Sequence, residues 1–145
     1  MKLCTIGYEA APRAAVIAAL RNAGVEVLID VRAVAASRRA GFSKRVLAAS
    51  LADAGIDYAH LRALGTPKSG RVAARAGRIL EMRAIFEAHL AEPEAEAALA
   101  EAISIAAERP SALLCYEADA SRCHRRIVAE RMVAAAEFGI EDLKA

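Results

Sequence analysis

The segment Val25-Glu26-Val27-Leu28-Ile29-Asp30-Val31 constrains the fold of this chain more than any other stretch. It is almost wholly apolar, rich in β-branched residues, and preceded by Gly24, a natural helix stop. It is too short for a core helix. A run of this kind suits a central parallel strand covered on both faces, since a strand wet on one side would alternate with polar residues. Parallel neighbours need long crossover connections, which are usually helical. The remainder of the chain should therefore alternate helices with further strands.

The flanking pattern meets that demand. Lys2–Gly7 reads as a first strand. Pro12 suits the first turn of a helix, Val16, Ile17 and Leu20 form its apolar stripe, and Gly24 ends it. Ser43 is a candidate cap for a helix through Ala54, with Val46, Leu47 and Leu51 inward and Gly55 at the stop. Ile56–Leu61 reads as a third strand, and Leu64–Gly70 as turn-forming. A helix from about Arg78 to Leu90 carries Ile79, Met82, Phe86 and Leu90 at helical spacing. Pro93 interrupts it, and a second helix over Glu94–Glu108 places Leu99, Ile103 and Ala106 on one face. Ala112–Tyr116 is the last clear strand. Asp119 or Ser121 can cap a final helix bearing Ile127, Val128 and Met132. This alternation predicts one α/β domain over residues 1–145. Its mostly parallel sheet has about four to five strands, with helices on both faces in a Rossmann-like or rhodanese-like layering and right-handed crossovers.

Composition qualifies the core. The hydrophobic fraction is 57%, but 38 of those residues are Ala, equal to the number of Val, Ile, Leu, Phe and Met together. That bias favours well-formed helices that approach closely. No charge-free apolar run reaches the roughly 18 residues of a membrane span. The opening residues reach the Gly7-Tyr8-Glu9 turn too soon for a leader's apolar core. Three cysteines cannot all pair within one chain, so the expectation is a cytoplasmic protein with free thiols. Net charge is +2 but uneven: residues 32–80 hold 10 Lys+Arg against Asp53 and Asp57, while residues 81–108 hold seven Glu. A polarised surface follows if the fold keeps these stretches apart.

Open parallel sheets bind ligands beyond the carboxyl ends of their strands. Tyr8 and Glu9 follow the first predicted strand. Asp30 and Arg32 end the second, with Ser37 and Arg38 beyond. Tyr58 and His60 end the third. The fourth ends in Cys115, Tyr116 and Glu117, and Arg122, Cys123, His124 and Arg125 open the next helix. Four strands thus deliver titratable groups to one edge. Asp30 can orient Arg32 for an anion, or merely brace the loop as a buried pair. Cys115 is a candidate nucleophile, with His124 or His60 to move protons and Glu117 to orient a base or the substrate; its structural alternative is a small buried residue closing a strand. Cys123, four residues before Ile127, can share a core-facing stripe. Tyr8, Asp30, Arg32, Arg38, His60, Arg122, Cys123 and Arg125 are candidate ligand-binding residues. There is no Cys-x-x-Cys pair and Cys115 lies eight residues before Cys123, so no metal site and no cofactor are expected. Residues Thr66–Arg78 carry Lys68, Arg71, Arg75 and Arg78 with no acid, and read either as a mobile phosphate-binding arm or as a solvated loop. Aromatic residues make up only 4% and Trp is absent, which argues against base-stacking platforms.

Thr5-Ile6-Gly7-Tyr8-Glu9, Leu28-Ile29-Asp30-Val31-Arg32, Ser37-Arg38, Gly41-Phe42-Ser43, Tyr58, Leu64-Gly65, and Cys115-Tyr116-Glu117 followed by Cys123-His124-Arg125 resemble, in order, the domain of unknown function 488 (DUF488) family. The resemblance spans nearly the whole chain. It implies an α/β domain and carries no established activity. A weaker likeness, to rhodanese-like domains, rests on the Leu-Ile-Asp-Val-Arg strand and a Cys at a strand-to-helix loop; the acids Glu117 and Asp119 and the lack of a Gly-rich cradle depart from it. Three readings follow: binding of a phosphate-bearing small molecule or nucleic-acid backbone at the strand ends, a cysteine-dependent enzyme using Cys115, or a protein-interaction domain without a ligand site.

Overall fold

The computed structural model describes residues 2–145. The elements are β1 (Lys2–Gly7), α1 (Arg13–Asn22), β2 (Val27–Asp30), α2 (Lys44–Asp53), β3 (Asp57–His60), α3 (Lys68–Arg75), α4 (Ile79–Leu90), α5 (Pro93–Glu108), β4 (Ser111–Cys115), α6 (His124–Ala135) and β5 (Gly139–Asp142). Short 3-10 turns at Arg62–Leu64 and Ala120–Arg122 lie between them. The strands form one parallel sheet in the order β3-β2-β4-β1-β5. The α/β architecture and parallel sheet agree with the sequence reading. No helix among the described residues is long and apolar enough to cross a membrane.

Strand periodicity sorts the interior into two cores. Leu3, Val27, Ile29, Val31, Leu113 and Cys115 face one side, where α3, α4, α5 and α6 bury Ala73, Phe86, Ala102 and Val128. Cys4, Ile6, Leu28, Ala112 and Leu114 alternate to the other side, where α1 and α2 bury Val16, Leu20, Leu47 and Leu51. All four residues of β2 and all five of β4 are buried, as central strands covered on both faces require.

Several local expectations are corrected. Ser43 does occupy the position before α2, but its hydroxyl does not cap the helix; it accepts from the Ser37 amide at 3.1 Å and closes the preceding loop instead. Val46 is exposed, leaving Leu47 and Leu51 as the inward face. On α5 the buried ridge is Ala95, Ala98, Ala102 and Ala106, with Leu99 and Ile103 only partly buried beside it. Small side chains let this helix lie close to its neighbours, so helical spacing was right but the larger residues were not at its centre. Residues Lys68–Arg75 of the basic segment form a helix rather than a mobile arm or a loop: Gly70 and Ala73 are buried as α3 docks on the sheet side shared with α4. Asp119 caps the 3-10 turn by accepting from the Ser121 amide at 3.0 Å, and α6 begins only after Cys123. The edge strand β5 has no counterpart in the sequence reading; its exposed residues carry little apolar pattern. Gly24, at φ +74°, ends α1 in a backbone conformation that L side chains rarely adopt.

The tight alanine seam gives a direct test. Ala102→Leu, at a fully buried position, is expected to lower stability by about 1–3 kcal/mol through overpacking. Ala100→Leu, exposed on the same helix, should change it by less than about 0.5 kcal/mol. Urea denaturation of both variants measures the difference; equal effects would mean that α5 does not present this ridge to the core.

Candidate functional site

The register brings the last residues of four strands into one row. Gly7 pairs with Cys115, Asp30 with Leu114, and Asp30 with His60. Because side chains alternate across a strand, the polar groups at this edge divide between the two faces of the sheet.

On the α1–α2 side lies a buried ion pair. Asp30 has no exposed surface and Arg32 is 4% exposed. Arg32 Nε donates to Asp30 Oδ1 at 2.9 Å, and its Nη2 donates to Oδ2 at 2.7 Å, giving a two-pronged contact. Arg32 Nη1 donates to the Tyr8 hydroxyl at 3.1 Å and to the Phe42 carbonyl at 2.8 Å. The Tyr8 ring stacks on Phe42 with centroids 4.3 Å apart. Tyr58 donates its hydroxyl to Asp30 Oδ2. Burial, and then that bond to Asp30, pushes the Tyr58 phenol above its usual range. Desolvation opposes the Arg32 charge, but Asp30 and Tyr8 outweigh it and raise its pKa, so the guanidinium stays charged. Most donors of Arg32 are thereby consumed inside the protein. Its backbone carbonyl accepts from His60 Nε2 at 2.8 Å, which gives His60 a bracing position behind the loop.

On the opposite face a second cluster gathers. Cys115 closes β4, and Cys123 and His124 sit at the junction leading into α6. They are 6%, 2% and 7% exposed. His124 Nε2 lies 2.6 Å from the Val31 carbonyl. A carbonyl can only accept, so Nε2 carries the proton, and in the neutral ring Nδ1 keeps its lone pair. Nδ1 is 3.5 Å from Cys115 Sγ and 3.9 Å from Cys123 Sγ. Glu117 Oε2 lies 3.7 Å from Cys115 Sγ. Phe86 packs edge-on against the His124 ring at 5.1 Å. Burial pushes the Cys123 thiol well above its ordinary pKa, so it is protonated at neutral pH. For His124, burial disfavours the charged ring, but Cys123, the Val31 carbonyl and Glu117 together outweigh it and raise its pKa.

Between α3 and the loop after β4 opens a cleft of about 820 Å³. Cys115, Cys123 and His124 form its buried floor, and Arg71, Arg75 and Arg122 line its wall with Glu117 and Asp119. Arg75 and Arg122 are exposed and have no ion-pair partner among the described residues. Residues 12–132 match the family described as Domain of unknown function DUF488. The chain belongs to the DUF488 family. No curated protein and no solved structure matches it.

The residues that carry the DUF488 resemblance thus have different tasks. Cys115, Glu117, Cys123 and His124 converge, and Arg122 reaches the same cleft. Tyr8 and Arg32 touch the cleft from the other core, while Asp30 and His60 lie behind them. Arg125 is fully buried and spends its Nη groups on the carbonyls of Glu117 and Ala118. A Cβ at Gly7 would collide with that Glu117 carbonyl, so glycine is what lets β1 and the loop after β4 approach. Arg38 is exposed and does not line the cleft. Arg71 and Arg75 were visible in sequence only as part of a basic segment. Their place in the cleft depends on α3, whose buried face is a glycine and an alanine rather than a legible apolar stripe. The three donors Cys115 Sγ, Cys123 Sγ and a His124 ring nitrogen lie within 4.8 Å of one another, close enough to hold one metal ion.

Removing one half of a buried ion pair strands the other charge, at a cost of about 3–5 kcal/mol. Asp30→Ala is therefore expected to unfold at a much lower urea concentration than the parent. A loss below about 1 kcal/mol, the range of exposed pairs, would show that the Asp30–Arg32 contact does not brace the strand ends.

Proposed function

We propose that the cleft binds a small phosphate-bearing molecule, with Arg71, Arg75 and Arg122 holding its anionic group above the Cys115–His124 floor. The observation that carries this reading is that Arg75 and Arg122, which have no ion-pair partner among the described residues, and Arg71, which is held by the Thr66 carbonyl, share one concavity with a buried titratable floor. A volume of about 820 Å³ falls within the roughly 300–1,000 Å³ of small-molecule sites. Three carboxylates, Glu9, Glu117 and Asp119, also line the wall, but Glu9 accepts from the Ala118 amide, Asp119 from Ser121, and Glu117 rests against Cys115, and none forms an ion pair with Arg71, Arg75 or Arg122. The size of the cleft and the scarcity of aromatic residues favour a small molecule over a nucleic-acid strand.

The test is binding of a fluorescent nucleoside triphosphate at low and at physiological salt. Affinity should fall as salt rises. Arg75→Ala and Arg122→Ala should each weaken it roughly two- to fivefold, as expected for exposed charges worth up to about 1 kcal/mol. Arg38→Ala should leave it unchanged. No detectable binding of nucleotides or inorganic pyrophosphate at low salt would overturn the proposal. Tight binding of DNA alone, with a salt slope that grows with the number of phosphates, would replace it with nucleic-acid recognition.

One observation favours a second reading, thiol chemistry. The His124 ring lies against Cys115 Sγ, with Nδ1 at 3.5 Å and Nε2 at 3.9 Å, and the bond from Nε2 to Val31 leaves Nδ1 bare, so a small rotation of the thiol brings it onto the Nδ1 lone pair. His124 can take the thiol proton, leaving Cys115 as a nucleophile toward the bound molecule. On this reading iodoacetamide modifies Cys115 in the folded, metal-free protein faster than Cys4 or Cys123, and His124→Gln slows that reaction at least tenfold. Peptide mapping after timed alkylation distinguishes the sites. Equal labelling of the three cysteines, or a rate indifferent to His124, would remove the support for it.

A further inference from the structure

We infer that Cys115, Cys123 and His124 form a binding site for one zinc ion, with a fourth coordination position open to the cleft. This goes beyond the proposed anion binding and does not depend on it. Zinc takes thiolate sulfur at about 2.3 Å and imidazole nitrogen at about 2.0–2.1 Å in a tetrahedron, which puts sulfur and nitrogen ligands roughly 3.5–3.6 Å apart. Nδ1 of His124 is 3.5 Å from Cys115 Sγ and 3.9 Å from Cys123 Sγ. All three donor atoms fall within 4.8 Å of one another; Cys115 Sγ, which also lies 3.9 Å from Nε2 over the ring face, must swing toward the Nδ1 side, and Cys123 must close, to complete three corners.

Two further features fit a metal better than a simple thiol pocket. A metal-bound imidazole usually donates its other ring N–H to a carbonyl or carboxylate, which aims the ligating nitrogen. His124 Nε2 does this with the Val31 carbonyl at 2.6 Å. The thiol dyad, moreover, has no use for Cys123, whose sulfur is buried with the same histidine. In a zinc site it is the third ligand. Binding releases both thiol protons to solvent, and two thiolates neutralise the divalent charge, so the buried ion carries no net charge with its ligands. The donor set of two sulfurs and one imidazole is borderline-soft and suits zinc over magnesium or calcium. All three ligands line the cleft, so a fourth ligand would enter from there.

The experiment uses the full chain, stripped with chelator under reducing conditions and then titrated with zinc or cobalt(II). One equivalent of cobalt should bind and give thiolate-to-cobalt charge transfer in the near ultraviolet with intense tetrahedral bands in the visible. Zinc should displace it. Cys115→Ser, Cys123→Ser and His124→Gln should each lower zinc affinity by at least about 100-fold, beyond the 10–100-fold that loss of an outer partner costs. Cys4→Ser should have no effect. In the parent protein, which needs no variant to fold, saturating zinc should protect Cys115 from iodoacetamide. A folded parent that binds less than half an equivalent of cobalt, or whose Cys115 alkylates equally fast in saturating zinc, overturns the inference. Nucleotide binding by the metal-free protein reads the anion proposal separately, so either can fail alone.

Discussion

The buried contact between Asp30 and Arg32 sets the geometry of the strand-end edge. Its guanidinium joins the end of β2 to Tyr8 beyond β1 and to the loop before α2, and Tyr58 closes the carboxylate from β3. With the side chains locked in this way, the backbone that follows β2 has little freedom. That backbone supplies two carbonyls in succession: Val31 receives His124, and Arg32 receives His60. A pair buried on one side of the sheet therefore fixes the histidine of the cluster on the other. The most conspicuous charged pair of the sequence, Asp30 and Arg32, serves chiefly to hold the floor.

A division of labour among the arginines follows from burial. Arg32 and Arg125 are enclosed and held by protein acceptors, Arg32 chiefly on a carboxylate and Arg125 through its Nη groups on two carbonyls, with its Nε left unpaired. Charges held in this way brace loops and have few donors left for a ligand. Arg75 and Arg122 are exposed at the cleft and retain theirs. The fixed floor and the adaptable wall are thus made by the same residue type in different surroundings. Alanine-rich helices help by packing closely on the α3–α6 side, where the cleft opens at the sheet edge.

Much of this fold was legible in the sequence. The apolar run over residues 25–31 marked a central strand, and β2 is buried along its whole length. The strand-end rule gathered Tyr8, Asp30, Arg32, His60, Cys115, Glu117 and His124 at one edge. It could not say which face each would take, because that depends on the strand register and on where each strand stops. Cys115 and Leu114 point into different cores although they are neighbours. The cysteine spacing hid the three-donor cluster for a related reason. Its members come from a strand end and a helix start, and only the intervening Ala120–Arg122 turn folds them together. α3 escaped notice because its inward residues are Gly70 and Ala73, and β5 because an exposed edge strand needs little apolar patterning.

The account turns on which nitrogen of His124 faces the sulfurs. A long-range proton–nitrogen correlation spectrum of the metal-free protein, recorded above the titration of His124, reads this directly. Protonated, pyrrole-like Nε2 with bare, pyridine-like Nδ1 is the predicted result. Protonation at Nδ1 would mean that the ring does not donate to Val31 and offers the two cysteines no lone pair, which would contradict both chemical roles assigned to the cluster.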